Sequence, residues 1–221
     1  FDGKEVAGIS FGGQMHGLVA LDEKDEVIRP AILWNDSRTT EECDYLNCEV
    51  GQKKLAEYTG NISFTGFTAP KVLWMKKNEP ENFARIAKIM LPKDYLCYKI
   101  SGVFSTDVSD ASGTLYFDVK NRTWSKEMCE ILSIKEEWLP KVYESYQAVG
   151  TLKPEIAGEL GLSPEVKIAA GAGDNAAAAV GTGIVGKGAL NISLGTSGTL
   201  FIPSECIRMD EHNALHAFAH A

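Results

Sequence analysis

"VKIAAGAGDNAAAAVGTG" (residues 166–183) joins an apolar run that reads as a strand to a glycine-rich turn and then to an alanine-rich run that reads as a helix. Gly171, Gly173 and Ala176 fit the G-x-G-x-x-A spacing of a dinucleotide-binding turn, in the strand-to-helix setting that spacing requires. Two features oppose a dinucleotide. Asp174 would aim its charge at the diphosphate, and no Asp or Glu occurs from residue 175 to 204, where a ribose-holding carboxylate belongs. Taken the other way round, the turn makes chemical sense. Negative charge is favourable at a helix N-terminus, so Asp174 is placed to accept a hydrogen bond or a proton from a hydroxyl. The plainer role is that of a helix cap.

A second glycine-rich segment follows, "SLGTSGT" (residues 193–199), inside an alternating run, "ALNISLGTSGTLFI", that reads as a β-hairpin. Its successive backbone amides and hydroxyls suit phosphate oxygens, the alternative being an ordinary tight turn. A serine-hydrolase elbow is ruled out, because Gly198 directly follows Ser197 and residue 199 is Thr. One loop that accepts from a hydroxyl and one that cradles an anion together suggest phosphoryl transfer.

Upstream, apolar runs at residues 6–10, 18–21 and 31–34, separated by charged or turn-rich residues, predict an antiparallel meander. From Ser37, a candidate N-cap, the spacing turns helical and continues through residues 51–58 and 69–77. Pro80 opens a further helix, "KIMLP" reads as a short buried strand, and "KDYLCYKISG" as a helix closed by Gly102. Residues 103–125, rich in Ser, Thr, Asp and Gly, read as a loop in which Asp107 and Asp110 serve turns or caps; helices follow at 126–132 and 154–160.

The 221 residues are 44% apolar, enough for a sizeable core, and the net charge of −8 argues against nucleic acid or anionic membrane as partners. A small molecule is the expected partner. Five cysteines at irregular spacing predict reduced thiols in a cytoplasmic protein, and no apolar run reaches the roughly 20 residues that span a bilayer. His212, His216 and His220 form no metal-binding pattern, and the sequence leaves a homodimer open. Phe1 at the start and the apolar run "NALHAFAHA" at the end suggest a piece of a longer protein.

Six blocks, "GGQMHGLVALD" (12–22), "RPAILWNDSRT" (29–39), "TGFTAPKVLWM" (65–75), "STDVSDASGTLYFDV" (105–119), "GAGDNAAAAVGTG" (171–183) and "ISLGTSGTLF" (192–201), resemble the FGGY family of carbohydrate kinases, in that family's order. "TAPKVLW" resembles a signature general to the family, whereas "QMHG" with "WNDSR" resembles the branch acting on xylulose rather than that acting on glycerol. The resemblance implies an α/β, ribonuclease H-like (actin-like ATPase) domain, a mixed sheet flanked by helices. It would be an N-terminal lobe lacking its first strands and its D-x-G-T phosphate loop, with residues 189–221 leading toward a C-terminal lobe. It implies transfer of the ATP γ-phosphoryl group to the 5-hydroxyl of D-xylulose, with Mg²⁺ on the phosphates, and no appreciable activity for these 221 residues alone.

Matched to the family, Asp174 is the general base, Asn175 a ligand of the sugar hydroxyls, and Met15 and His16 the sugar-contacting pair. Gly195, Thr196 and Ser197 fall on the loop facing the β- and γ-phosphates. His16, at a strand end, would donate from a ring nitrogen to a sugar oxygen, while Met15 at such a place also suits packing. Trp34, Asp36 and Arg38 suit either the sugar or a core ring with a capping ion pair. The alternatives are a kinase for another sugar or polyol such as ribulose or gluconate, a non-enzymatic nucleotide-binding protein of the actin-like superfamily, and a nicotinamide dehydrogenase.

Overall fold

The computed structural model describes residues 2–194, 198–207, 210 and 215–221. Two parallel pairings decide the architecture. Gly8–Ile9 lies beside Lys167–Ala169, and Gly12–Gly13 lies beside Ala172–Gly173, so the start of the chain is zipped to the segment leading into the Asp174 turn. On its other edge Lys167–Ala169 pairs antiparallel with Ala148–Thr151, which makes the sheet mixed, as expected for this class of α/β domain.

The meander expected over residues 6–34 holds only in its later part. Leu18 bridges Ile32 and Leu21 bridges Val27, both antiparallel, and Val19–Leu21 pairs with Lys88–Met90, the buried strand read from "KIMLP". The first run leaves that meander. Val6, Ile9 and Phe11 pack instead on the cluster of Cys97, Leu152, Val166 and Ile168, which burial beside the late strand makes accessible to them.

Helices pack on one another and on the strands. Thr68–Asn78 buries Ala69, Val72 and Met75 along one face and joins the main core with Leu46, Leu55, Leu115 and Met128. Pro92–Ser101 begins on Pro92, whose missing N–H costs nothing there, and ends at Gly102 in the left-handed region (φ 76°) with its N–H on the Tyr98 carbonyl at 2.7 Å. Ser37 does not cap the first helix. It lends its carbonyl to the Thr40 hydroxyl at 3.1 Å, and Thr40–Asp44 runs through a π-helical stretch, Tyr45–Gly51, into Gln52–Thr59.

The largest departure is at residues 103–125. The segment is no loop: it holds the strand Ser105–Asp107, the short helix Val108–Ala111 and the hairpin Phe117–Asp118 with Thr123–Trp124, and residues 105–117 are buried throughout. Polar side chains are tolerated in the core here because several find backbone partners, Ser112 Oγ donating to the Val108 carbonyl at 2.7 Å and Thr114 Oγ1 to that of Ala111 at 2.7 Å. Asp107 does cap its helix, accepting from the Ser109 N–H at 2.9 Å. Asp110 caps nothing.

Candidate functional site

Because Gly12–Gly13 and Ala172–Gly173 run parallel, the residues that follow them, 14–17 and 174–175, leave the sheet at the same end. Carboxyl ends of adjacent parallel strands are where α/β proteins bind ligands. The contact between the two turns is direct. A Cβ on Gly173 would lie 2.9 Å from Met15 Cγ and 3.0 Å from its sulfur, so only glycine admits the Met15 side chain there. Met15 is buried (4% exposed), which makes it the packing between the turns rather than an open contact. Asp174, by contrast, is exposed at the first position of the helix Asp174–Gly181 and accepts from the N–H of half-buried Asn175 at 2.9 Å.

His16 is held at φ 71° with its Nδ1 2.7 Å from the Gly113 carbonyl and its ring stacked on Phe67 at 4.8 Å. A Cβ on Gly113 would meet that Nδ1 at 2.5 Å, so the close approach again requires glycine. Since a carbonyl only accepts, Nδ1 carries the proton. Burial drives the ring's pKa down to about 4, outweighing the Gly113 hydrogen bond, so His16 is neutral and Nε2 offers a lone pair. The polarity is therefore opposite to the expected one: with Nδ1 donating to Gly113, Nε2 is left as an acceptor.

Around His16 lies a group of rings that sequence reasoning missed. His216 packs edge-on to Phe64 at 4.8 Å and stacks with Phe218 at 5.6 Å, and Phe218 is 6.1 Å from His16. The segment is fastened by Asn61, whose side chain donates to the Ala217 carbonyl and accepts from the Ala217 N–H, both at 2.9 Å, and by Ser112 Oγ, which accepts from the Ala219 N–H at 2.9 Å. No local pattern announces a contact between residues so far apart. Lys71, inside the "TAPKVLW" block, is fully buried and donates to the carbonyls of Gly66 and Phe67, and burial lowers its pKa to about 8. It braces the loop that carries Phe67. Arg38 is spent on Asp36, with contacts of 2.9 and 2.7 Å, and on the Trp74 face at 4.7 Å, which assigns it the ion-pair role; Trp34 remains half exposed.

Below the turns lies a buried polar network. Lys93 Nζ is 2.7 Å from Asp94, 3.0 Å from Asp107 and 3.8 Å from Asp110, with all four side chains at most 2% exposed, and it donates to the Ala170 carbonyl at 3.0 Å. The hairpin expected near residue 195 is present as Asn191–Leu194 paired with Gly198–Phe201, and Asn191 Nδ2 donates to Thr182 Oγ1 at 3.2 Å beyond the end of the Asp174 helix. Gly195, Thr196 and Ser197 lie outside the described residues, as does His212. Among the described residues no group of three or more His, Cys, Asp or Glu could hold a metal ion.

The mixed α/β fold, with two glycine-rich turns side by side at the strand ends, is that of a carbohydrate-kinase domain. Residues 1–181 match the N-terminal domain of the FGGY family of carbohydrate kinases, and the chain belongs to that family. Its relatives are specific. The chain is 44% identical over 218 residues to the xylulose kinase of Escherichia coli (strain K12), covering 99% of this chain and 44% of that protein. With the xylulose kinase of Lactococcus lactis it shares 46% identity over 218 residues, covering 99% of this chain and 43% of that protein. A xyloylose kinase from Brucella ovis superposes with a TM-score of 0.93 at 44% identity, over 97% of this chain and 44% of that one. A gluconate kinase from Lactobacillus acidophilus does so with a TM-score of 0.86 at 30% identity, over 90% of this chain and 40% of that one. The chain thus spans less than half the length of these relatives.

Proposed function

We propose that the chain is the sugar-binding part of a kinase that transfers the γ-phosphoryl group of ATP to the 5-hydroxyl of D-xylulose. The parallel pairing of Gly12–Gly13 with Ala172–Gly173 carries this reading, because it sets the His16 and Asp174 turns side by side. Asp174 accepts the hydroxyl proton as the sugar oxygen bonds to phosphorus and ADP leaves; in a loose phosphoryl-transfer transition state, position matters more than basicity. Asn175 binds sugar hydroxyls, the neutral His16 accepts from another, and Met15 shapes the floor beneath them. Gly195, Thr196 and Ser197 take the β- and γ-phosphates. Mg²⁺ would be carried by the substrate phosphates and neutralise their charge, in keeping with its preference for phosphates and water over a protein cage. The high identity to xylulose kinases favours D-xylulose over gluconate or ribulose.

The test is Asp174→Asn in the complete protein. Turnover of D-xylulose should fall on the order of 10²–10⁴-fold, the scale of lost base catalysis, with KM for ATP held near the parent value. A kcat within about threefold of the parent, far from that scale, would sink the assignment.

A further inference from the structure

We propose that Ser109, held by Asp107, is a positioning residue that fixes the turn presenting Asp174. This rests on the reading of Asp174 as the base. Three backbone groups of the turn are gripped from the buried side: the Ala170 carbonyl by Lys93 at 3.0 Å, the Gly171 N–H by the Ser145 carbonyl at 3.1 Å, and the Gly173 N–H by Ser109 Oγ at 3.1 Å. The last is one residue from Asp174. Ser109 in turn has little choice of orientation, since its hydroxyl donates to Asp107 Oδ2 at 2.5 Å and the lone pairs left over face the Gly173 N–H. The same Asp107 oxygen accepts from the Ser109 N–H at 2.9 Å and the Ser145 hydroxyl at 2.6 Å, while Oδ1 is 3.0 Å from Lys93.

Stability does not account for such a network. Replacing a buried ionic cluster by apolar groups of equal volume is often neutral or stabilising. What the cluster supplies is a fixed register for the turn.

The three carboxyls around Lys93 are not equivalent. Asp94 and Asp107 hold the short contacts, whereas both oxygens of Asp110 lack a hydrogen-bond partner and Lys93 is 3.8 Å away. Burial pushes the Asp110 carboxyl well above its ordinary range, against the pull of Lys93. Asp110 makes no hydrogen bond to the turn and meets Asp174 only through like-charge repulsion.

The experiment is kinetics of the complete protein with D-xylulose and ATP. Ser109→Ala should lower kcat about 10- to 100-fold, the cost of a misplaced reacting group, with both KM values within about twofold and a melting midpoint lowered by only a few degrees, because the buried Gly173 N–H loses its acceptor. Ser109→Cys, which keeps the size and a weak acceptor, should fall between. Asp110→Asn should match the parent. In an Asp174→Asn background Ser109→Ala should cost nothing more, since it acts through Asp174.

An inactive Asp174→Asn beside a fully active Ser109→Ala would overturn this inference and leave the proposed base intact. A fully active Asp174→Asn would sink both. Equal losses in Ser109→Ala and Asp110→Asn would assign the effect to the charge cluster as a whole and also overturn it. Should Ser109→Ala fail to fold, Ser109→Cys decides by the same split between kcat and KM.

Discussion

The neutral state of His16 carries a stability consequence. Its folded pKa of about 4 lies below the ordinary 6.5, so between those values the unfolded chain binds more protons than the folded one. Stability from this group is complete above about pH 6.5 and is lost as the pH falls toward 4, by about 2 kcal/mol at pH 5 from the linkage relation. His16→Asn lacks a titrating ring, so comparing urea midpoints at pH 7 and pH 5 in both proteins isolates the term. The parent should lose about 2 kcal/mol more than the variant over that interval; equal losses would mean that His16 is not buried neutral. The place of His16 at a strand end was legible from "QMHG", but its polarity was not. That polarity is set by the Gly113 carbonyl, 97 residues away in sequence.

At the scale of elements, the Ala217–Ala219 segment is held as a strand would be, with Asn61 imitating a backbone partner. Asn61→Ala would leave the half-buried Ala217 N–H and carbonyl without their partners and should cost about 1 kcal/mol. The loss should be local: hydrogen exchange at Ala217 should accelerate well before the core around Val72 and Met75 opens. Uniform acceleration would show the segment to be part of the global unit instead. Elements with their own signals were legible, such as Pro92–Ser101 between its proline and its left-handed glycine. Where the sequence misled, composition stood in for environment. Residues 105–117 look like a loop because Ser, Thr and Asp usually face water, yet Ser109, Ser112 and Thr114 each meet a buried partner here. The two-residue strands Gly12–Gly13 and Ala172–Gly173 are too short to show any alternation, so the pairing that creates the site could not be read locally.

For the whole molecule, the distribution of apolar surface sets the final expectation. The large exposed apolar side chains gather late in the chain, with Val185 68%, Leu194 84%, Ile202 63% and Leu215 72% exposed, while the strands and helices leading to His16 and Asp174 pack on buried apolar clusters. The sugar side of the proposed site is therefore formed within these residues, whereas the chain spans only 44% of the Escherichia coli xylulose kinase. Phosphoryl transfer requires the nucleotide phosphates to be enclosed and water excluded, or the γ-phosphoryl group goes to solvent. The 221 residues alone should bind D-xylulose, seen as heat of titration that vanishes in His16→Ala, yet form no xylulose phosphate when ATP and Mg²⁺ are added. Sustained ATP-dependent phosphorylation by the isolated chain would overturn the division of labour proposed here. Absence of any sugar binding would do the same, because it would mean that the His16 and Asp174 turns, although adjacent, do not make a ketose site by themselves.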